Sequence, residues 1–406
     1  MPATRDDMRI KQSWAPPLLF ITARFIWLIS SPLENLRIYG DLGHFFRLAG
    51  KGWPFLDYWV EFPPLFPFLS AVIYRVAGGR EYVYDTLLIF LLTITQAACL
   101  WVFQKIAERI YPADGSGYRT WIFLFLSLPL AYTWWYFDPF ALLALLAGIF
   151  LLIEKEDIPA GLAIGIGFLI KLFPVLLLAA AIAWRGFRKS VRSIVVALAV
   201  IIPVYGILYI AAPDMTRASL VSQGQKGSWE TVWALVDGNF QTGNISDESL
   251  RTQAAMAYRL GGNPSRIPAM VTLIPFLLTG LFLLKWLKVD TAIAAIRFLG
   301  VTMSLFFLWS PGWSPQWVLY LVPVILLSFP LREGSLFTLC MTLINLLEWP
   351  ILLSRGYFWS LWITIPARTV LLALLAARLG YDIWRSNQVE TEVSWKAAGQ
   401  ISPHQL

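Results

Sequence analysis

The sequence predicts an all-α polytopic membrane protein, a bundle of about 12 transmembrane helices with an amphipathic helix in its first outward loop. Hydrophobic residues make up 58% of the 406 and charged residues only 14%, against about 45–50% and about 25% in ordinary soluble domains. The mean hydropathy is +0.63. The excess is gathered into repeated apolar runs near the length, about 20 residues, that a helix needs to cross a bilayer. One large soluble core is therefore excluded.

In chain order, residues 1–13 are polar and expected on the cytoplasmic side. The first apolar run lacks a small-x-small cleavage site, so no cleavable signal peptide is expected. Spans are expected near 14–33, 62–77, 83–107, 119–135, 138–153, 159–184, 191–212, 266–284, 291–310, 316–331, 335–353 and 359–380. Several contain proline, which membrane helices tolerate when neighbours satisfy the freed carbonyl. The short pair around Phe137, Asp138 and Pro139 reads as two tilted spans or as one re-entrant hairpin.

Arg185, Arg188, Lys189 and Arg192 crowd one connection, and Lys285, Lys288, Arg332, Arg378 and Arg385 fall on the same side of a twelve-span arrangement. The positive-inside rule makes that side cytoplasmic, with both termini. The connections 34–61 and 213–265 then face outward, and 381–406 is a polar cytoplasmic tail. No fixed-period repeat is visible, which weighs against inverted-repeat transporters. No soluble stretch is long enough to fold alone, so 1–406 reads as a single membrane domain.

The net charge of +7 reflects this loop asymmetry; a nucleic-acid partner is not expected. Two cysteines (Cys99, Cys340) and two histidines (His44, His404) exclude a disulfide framework, a CxxC site and an HExxH site.

The first outward loop is the most informative stretch. Leu42, Phe45, Phe46 and Ala49 form an apolar stripe at helical spacing, as expected of a helix on the membrane surface. Asp41 precedes it, where a plain helix cap is the alternative to a chemical role. Asp57 and Glu61 are four apart, so a helical turn would put both carboxylates on one face. Two prolines follow, shaping the start of the next apolar run.

These residues resemble the first loop of GT-C glycosyltransferases, most closely the family 87 polyprenol-phosphate-mannose-dependent mannosyltransferases. The likeness rests on Asp41, the Gly52-Trp53-Pro54 turn, Asp57-Tyr58 and Glu61-Phe62-Pro63-Pro64, where Phe62 replaces the usual tyrosine. Other blocks follow in the same order. They are Phe137-Asp138, the Gly161–Gly165 helix leading to Lys171-Leu172-Phe173-Pro174 (phenylalanine again for tyrosine), Gln225–Trp233, and Ser314-Pro315-Gln316-Trp317.

The resemblance implies a GT-C-like bundle that moves a sugar, mannose by default, from a polyprenyl-phosphate donor. The receiver is a hydroxyl of a glycolipid, glycan or protein acceptor on the extracytoplasmic face of the cell membrane. Inversion at a phosphate leaving group needs one carboxylate base and no covalent intermediate, and Asp41 matches the family's catalytic position. Asp57, Glu61, Lys171, Glu230 and Gln316 are implied as substrate-binding residues. No cofactor is expected to be required; a hard divalent ion on carboxylates is the one metal the residue types would allow.

Each assignment has a plainer counterpart. Lys171 either meets the donor phosphate or forms a structural ion pair with Asp138. Glu230 either meets substrate or is the third residue of a cap started by Ser228. His44 reads as a polar-face residue. Arg368 and Glu348 read as an ion pair across the last two spans, because an isolated charge at mid-bilayer costs about 2.5–3.5 kcal/mol on translocon scales. Arg24 is buried without a motif. Trp229, Trp233 and Trp317 divide between interface anchoring and sugar stacking. A lipid-linked-sugar flippase is the competing function, but a transporter gathers charge near the midplane and keeps short loops. Here the carboxylates concentrate in an outward loop.

Overall fold

A computed structural model describes residues 5–37, 39–111, 116–243 and 248–398. Helices α1 (Arg5–Ser30), α2 (Leu33–Arg37), α3 (Leu42–Ala49), α4 (Leu65–Val76) and α5 (Glu81–Ile110) come first. Then follow α6 (Ser116–Ser127), α7 (Tyr132–Trp135), α8 (Asp138–Ile153), α9 (Asp157–Ile170), α10 (Leu177–Arg185) and α11 (Phe187–Ala211). The short α12 (Pro213–Ser222) and α13 (Val232–Asp237) lie in the second long connection. The chain finishes with α14 (Ala269–Trp286), α15 (Ala292–Trp309), α16 (Val318–Ser328), α17 (Leu331–Leu346) and α18 (Leu361–Ala398). Among the described residues no strand forms; two isolated bridges, Pro54–Tyr58 and Trp229–Gly312, are the only extended pairings. Among the described residues six helical segments are long and apolar enough to cross a membrane: Glu81–Ile110, Phe187–Ala211, Ala269–Trp286, Ala292–Trp309, Leu331–Arg355 and Phe358–Gln388.

Side-chain contacts show which helix ends lie together. Trp14 stacks on Trp101 and Phe25 meets Phe90, so α1 and α5 run antiparallel. Arg37, just past α1, accordingly reaches Asp85 near the start of α5 at 2.7 Å. At the opposite end Arg109 pairs with Glu154 at 2.7 Å, Arg185 with Asp157, and Arg378 with Glu333 at 3.3 Å. Arg119 bonds the Phe329 carbonyl there at 2.8 Å, and Arg297 the Ser328 carbonyl at 3.1 Å. The basic connections therefore gather at one end of the bundle. Both long connections gather at the other, tied by Asp41 N–H to the Trp135 carbonyl (3.1 Å) and Trp229 N–H to the Pro311 carbonyl (3.1 Å).

Two expected spans are corrected, and the errors cancel. The run at 62–77 does not cross. Helix α4 has 12 residues, and both of its ends stay beside the first loop. Its whole length instead lies along the first loop and its surroundings. Phe66 stacks on Phe137 at 4.0 Å, Phe68 on Trp53 at 6.0 Å, Tyr74 meets Phe46 at 5.1 Å, and the Arg75 guanidinium covers Trp53 at 3.7 Å.

The run at 159–184 is not one span but two. Helix α9 stops at Ile170, Lys171 is extended (φ −160°, ψ 149°), and α10 returns so that Arg185 meets Asp157. Pro174 lacks an N–H and cannot continue a helix through this point. Gly167 lets the turn close, since a Cβ there would sit 2.7 Å from the Pro174 ring. One crossing lost and one gained keep every later connection at its expected end. The pair around Asp138 resolves as two passes, with α6–α7 running toward the Asp41 end and α8 away from it.

Helix α3 forms as expected, but its apolar side covers protein. Leu42, Phe45, Leu48 and Ala49 are buried, and Phe45 meets Phe66 and Phe137 edge-on at 4.8 and 5.7 Å. The stripe expected to lie on the membrane surface is part of the core.

Candidate active site

A cavity of about 1030 Å³ opens where the two long connections meet the helix ends. Its walls include Asp41 and His44 of the first loop, Lys171 at the α9–α10 break, Lys226, Trp229 and Glu230 of the second loop, and Gln316 before α16. Residues as far apart in sequence as Arg37 and Trp349 converge here.

Asp41 owes its position to a close approach. A Cβ on Gly40 would collide with the Trp135 side chain, and the Asp41 N–H donates to the Trp135 carbonyl at 3.1 Å. Asp41 sits at the N-cap of α3, yet its side chain makes no capping hydrogen bond. The cap alternative thus fails, and the carboxylate is left facing the cavity. Burial raises its pKa above the ordinary aspartate value, the Glu61 charge adds to this, and His44, Lys226 and Lys171 oppose it. A carboxylate poised in this way is a suitable proton acceptor.

The other first-loop acids have different surroundings. Asp57 is exposed and does not line the cavity; its carboxylate accepts the Trp53 N–H at 2.6 Å and shapes the Gly52-Trp53 turn. Its expected place beside substrate is not where the structure puts it, because the chain turns at Gly52 instead of running as a helix through Asp57 and Glu61. Glu61 does line the cavity, buried, with both oxygens bonded by Arg251 (one at 3.2 Å) and Lys226 at 3.9 Å. Burial alone would raise its pKa, but Arg251 and Lys226 outweigh that and hold it well below the usual carboxylate range. Glu61 therefore stays ionised and fastens the first loop to the second.

Lys171 forms the expected ion pair with Asp138 at the cavity wall. Its ammonium donates to both Asp138 oxygens, at 2.7 and 2.8 Å, and still lines the cavity. Gln316 lies in the turn Pro315–Trp317, buried, and lines the cavity. Trp229 and Trp317 line the cavity. Trp233 does not, and its indole N–H donates to the Leu308 carbonyl at 3.2 Å.

Glu230 is held at φ 51°, a backbone region that costs a non-glycine residue of order 1 kcal/mol or more. The cap expected from Ser228 is absent: Thr231 caps α13 by accepting the Ala234 N–H at 3.3 Å, and Ser228 donates to Asp237 at 2.6 Å. Arg368 binds the Glu230 carbonyl and the Glu348 carboxylate, the latter at 2.6 Å, which places the expected Arg368–Glu348 pair under the second loop.

Burial, and then the nearby Glu348 charge, push the Glu230 pKa well above the glutamate range; Arg368 opposes them. A raised folded pKa means that this group's stabilising contribution is full below the unfolded value and lost as pH rises through the folded one. Thermal stability should therefore decline as pH is raised above the ordinary glutamate value. Glu230→Gln should flatten that decline in a thermal-shift series, and an unchanged slope would show that another group titrates.

Three residues of the second loop carry weight that the sequence reading did not assign. Glu248 accepts from His44 at 2.6 Å and from Arg47 at 2.6 and 2.9 Å. Burial works against its ionisation, but His44 and Arg47 hold its pKa at about 2. Arg251 is fully buried against Glu61 and lies over Trp59 at 4.2 Å. Lys226 projects into the cavity from a turn at Gly227 (φ 71°), where a Cβ would strike the Gly261 carbonyl. Lys226 belongs to the motif block around Trp229, the one sequence signal that pointed near it. Arg24 proves structural, bonding the Ser127 carbonyl and Thr133 at 2.8 and 2.7 Å over Trp134. Among the described residues no three His, Cys, Asp or Glu side chains converge to hold a metal ion.

The apo crystal structure of the Archaeoglobus fulgidus oligosaccharyltransferase is similar at a TM-score of 0.43 and 12% identity, covering 91% of this chain and 56% of that one. This chain thus spans about half the length of that protein. No match was found among curated proteins. The model of glycosyltransferase family 87 matches residues 59–311, which take in Glu61, Lys171, Lys226 and Glu230 and begin beyond Asp41. That match covers more than half of the 406 residues, and the chain belongs to glycosyltransferase family 87.

Proposed function

We propose that the protein transfers a sugar, mannose by its family resemblance, from a polyprenyl-phosphate carrier to an acceptor hydroxyl on a glycolipid, glycan or protein at the outer face of the cell membrane. The observation that carries this reading is the Asp41 carboxylate, uncapped and facing a cavity that also holds lysines. The acceptor oxygen attacks the anomeric carbon as the bond to the carrier phosphate breaks, inverting that centre. Asp41 takes the acceptor's proton, and the phosphate departs as an anion without needing one. Tyr205 of α11 and Phe306 and Trp309 of α15 also line the cavity, an apolar side suited to the carrier's first isoprene units. The direct test is purified protein with radiolabelled polyprenyl-phosphate-mannose and a panel of glycolipid acceptors. Label should move to an acceptor, and its failure to move from any polyprenyl-phosphate sugar would sink the reading.

The same proposal places the cavity outside and both termini in the cytoplasm, because the basic connections lie at the far end of the bundle. Single cysteines at the exposed Asp214 and Arg188, in a background without Cys99 and Cys340, would test this. An impermeant maleimide should label position 214 in intact cells and position 188 only after lysis. The reverse pattern would invert the topology.

A further inference from the structure

Among the described residues five basic side chains line the cavity: Arg37, His44, Arg47, Lys171 and Lys226. Four of them are bonded to carboxylates at short range. Arg37 holds Glu81 and, at 2.7 Å, Asp85. His44 and Arg47 share Glu248 at 2.6 Å each, and Lys171 holds Asp138 at 2.7 Å. Lys226 differs. Among the described residues its nearest carboxylate oxygen is Glu61 Oε1 at 3.9 Å, beyond hydrogen-bond reach, and Glu61 is already bonded by Arg251 through both oxygens.

The Lys226 side chain is nevertheless 9% exposed, with its ammonium 5.3 Å from the Trp229 ring centre and 5.9 Å from that of Phe62. Three N–H donors on a buried cation are expensive to leave unmade. In a cavity wall they select an anion.

We propose that Lys226 is the residue that receives the phosphate of the donor, with Lys171 held back by Asp138 as part of the wall. This rests on the reading of the cavity as a polyprenyl-phosphate-sugar site and adds the residue that anchors the carrier. A phosphate oxygen meeting Lys226 lies between the first-loop wall that carries Asp41 and the Trp229 face. The sugar then hangs from an anchored phosphate with its anomeric carbon open to an acceptor on the Asp41 side. Among the described residues the Lys226 ammonium donates to no carboxylate at hydrogen-bond distance, and its one positive charge matches the single negative charge of a phosphodiester.

Lys226 also titrates in a telling way. Burial lowers its pKa, Glu61 and Asp41 oppose that, and Arg251 and Lys171 reinforce it. Raising the pH through its value removes the cation, so phosphate affinity should fall with rising pH.

Farnesyl monophosphate, a soluble carrier mimic, tests this by titration calorimetry on the full chain in detergent, without requiring transfer. Inorganic phosphate and farnesyl diphosphate are the comparison arms. Lys226→Gln should weaken farnesyl phosphate binding about 10- to 100-fold, the range for a charge-assisted hydrogen bond, while Lys171→Gln should weaken it less. Lys226→Arg should keep affinity and lose its decline at high pH. Inorganic phosphate bound as well as farnesyl phosphate would reduce the site to a free-anion site. Diphosphate bound more tightly than monophosphate would contradict a site built for one phosphate group. Unchanged affinity in Lys226→Gln, a larger loss in Lys171→Gln, or no farnesyl phosphate binding by the wild type would each overturn the assignment. Binding that follows this pattern in a protein that transfers no sugar would keep Lys226 as the anchor and reject the transferase mechanism instead.

Discussion

Asp41→Asn is expected to lower turnover by roughly 10²- to 10⁴-fold, the range for loss of a general base, with donor binding and protein yield close to wild type. The amide keeps the size of the carboxylate and cannot take a proton. Packing should be indifferent, since the Asp41 side chain makes no capping bond and the backbone contact to Trp135 does not involve it. Wild-type kcat should fall on the acid side with a midpoint above the ordinary aspartate value, because burial raises the Asp41 pKa and only the ionised form is a base. Asp57→Asn, at a residue outside the cavity, should leave turnover within a few-fold while loosening the Gly52-Trp53 turn. The measurement is a transfer assay of both variants at saturating donor, with a thermal-shift control. Near-normal turnover in Asp41→Asn would move the base elsewhere on the cavity wall, with Glu230 the next acid to test.

Much of the fold was legible because bilayer solvation leaves a coarse signature. Apolar runs and basic connections report a multi-pass bundle with its basic connections at one end even when individual runs are misjudged. The misjudged ones share a cause. Hydropathy reports that a segment avoids water, and both lipid and protein satisfy it. The run 62–77 is apolar because Phe66 and Phe68 pack on Phe137 and Trp53, and 159–184 is apolar through both arms of a hairpin. Pro174 marked the second case, but proline inside a span is common enough that it did not decide between a kink and a reversal.

The site was legible where its residues lie close in sequence or carry a motif. Asp41 and Lys171, which line the cavity, were singled out that way, and the Lys171–Asp138 and Arg368–Glu348 pairs followed from the cost of lone charges in a membrane. The partners supplied by the second loop were not. Arg251 is 190 positions from Glu61 and Glu248 is 204 from His44, and nothing local to either says that it folds back onto the first loop. Asp57 erred in the opposite direction. The four-residue spacing to Glu61 suggested one helical face, whereas Gly52, with φ 130°, opens a turn that sends the two carboxylates apart.

The second large effect is expected at that inter-loop joint. Glu61 and Arg251 are both buried, and removing one partner of a buried pair typically costs about 3–5 kcal/mol because the other charge is left uncompensated. Glu61→Gln and Arg251→Gln should each lower the melting temperature and open the connection 213–265 to proteolysis. Transfer should fall with them, since Lys226, Trp229 and Glu230 are carried by that connection. Replacing both by leucine should recover much of the stability, because an apolar pair of similar volume avoids the desolvation penalty altogether, and the coupling in a double-mutant cycle measures the joint directly. Glu61 is held below the usual carboxylate range, so its contribution is complete above the unfolded glutamate value and is lost only as pH falls below that. Melting temperatures between pH 6 and 8 should accordingly show no loss from this pair, unlike the decline attributed to Glu230. If Glu61→Gln abolished transfer with melting and protease resistance intact, Glu61 would have to touch substrate, and the fastening of the two loops would pass to the His44–Glu248–Arg47 cluster.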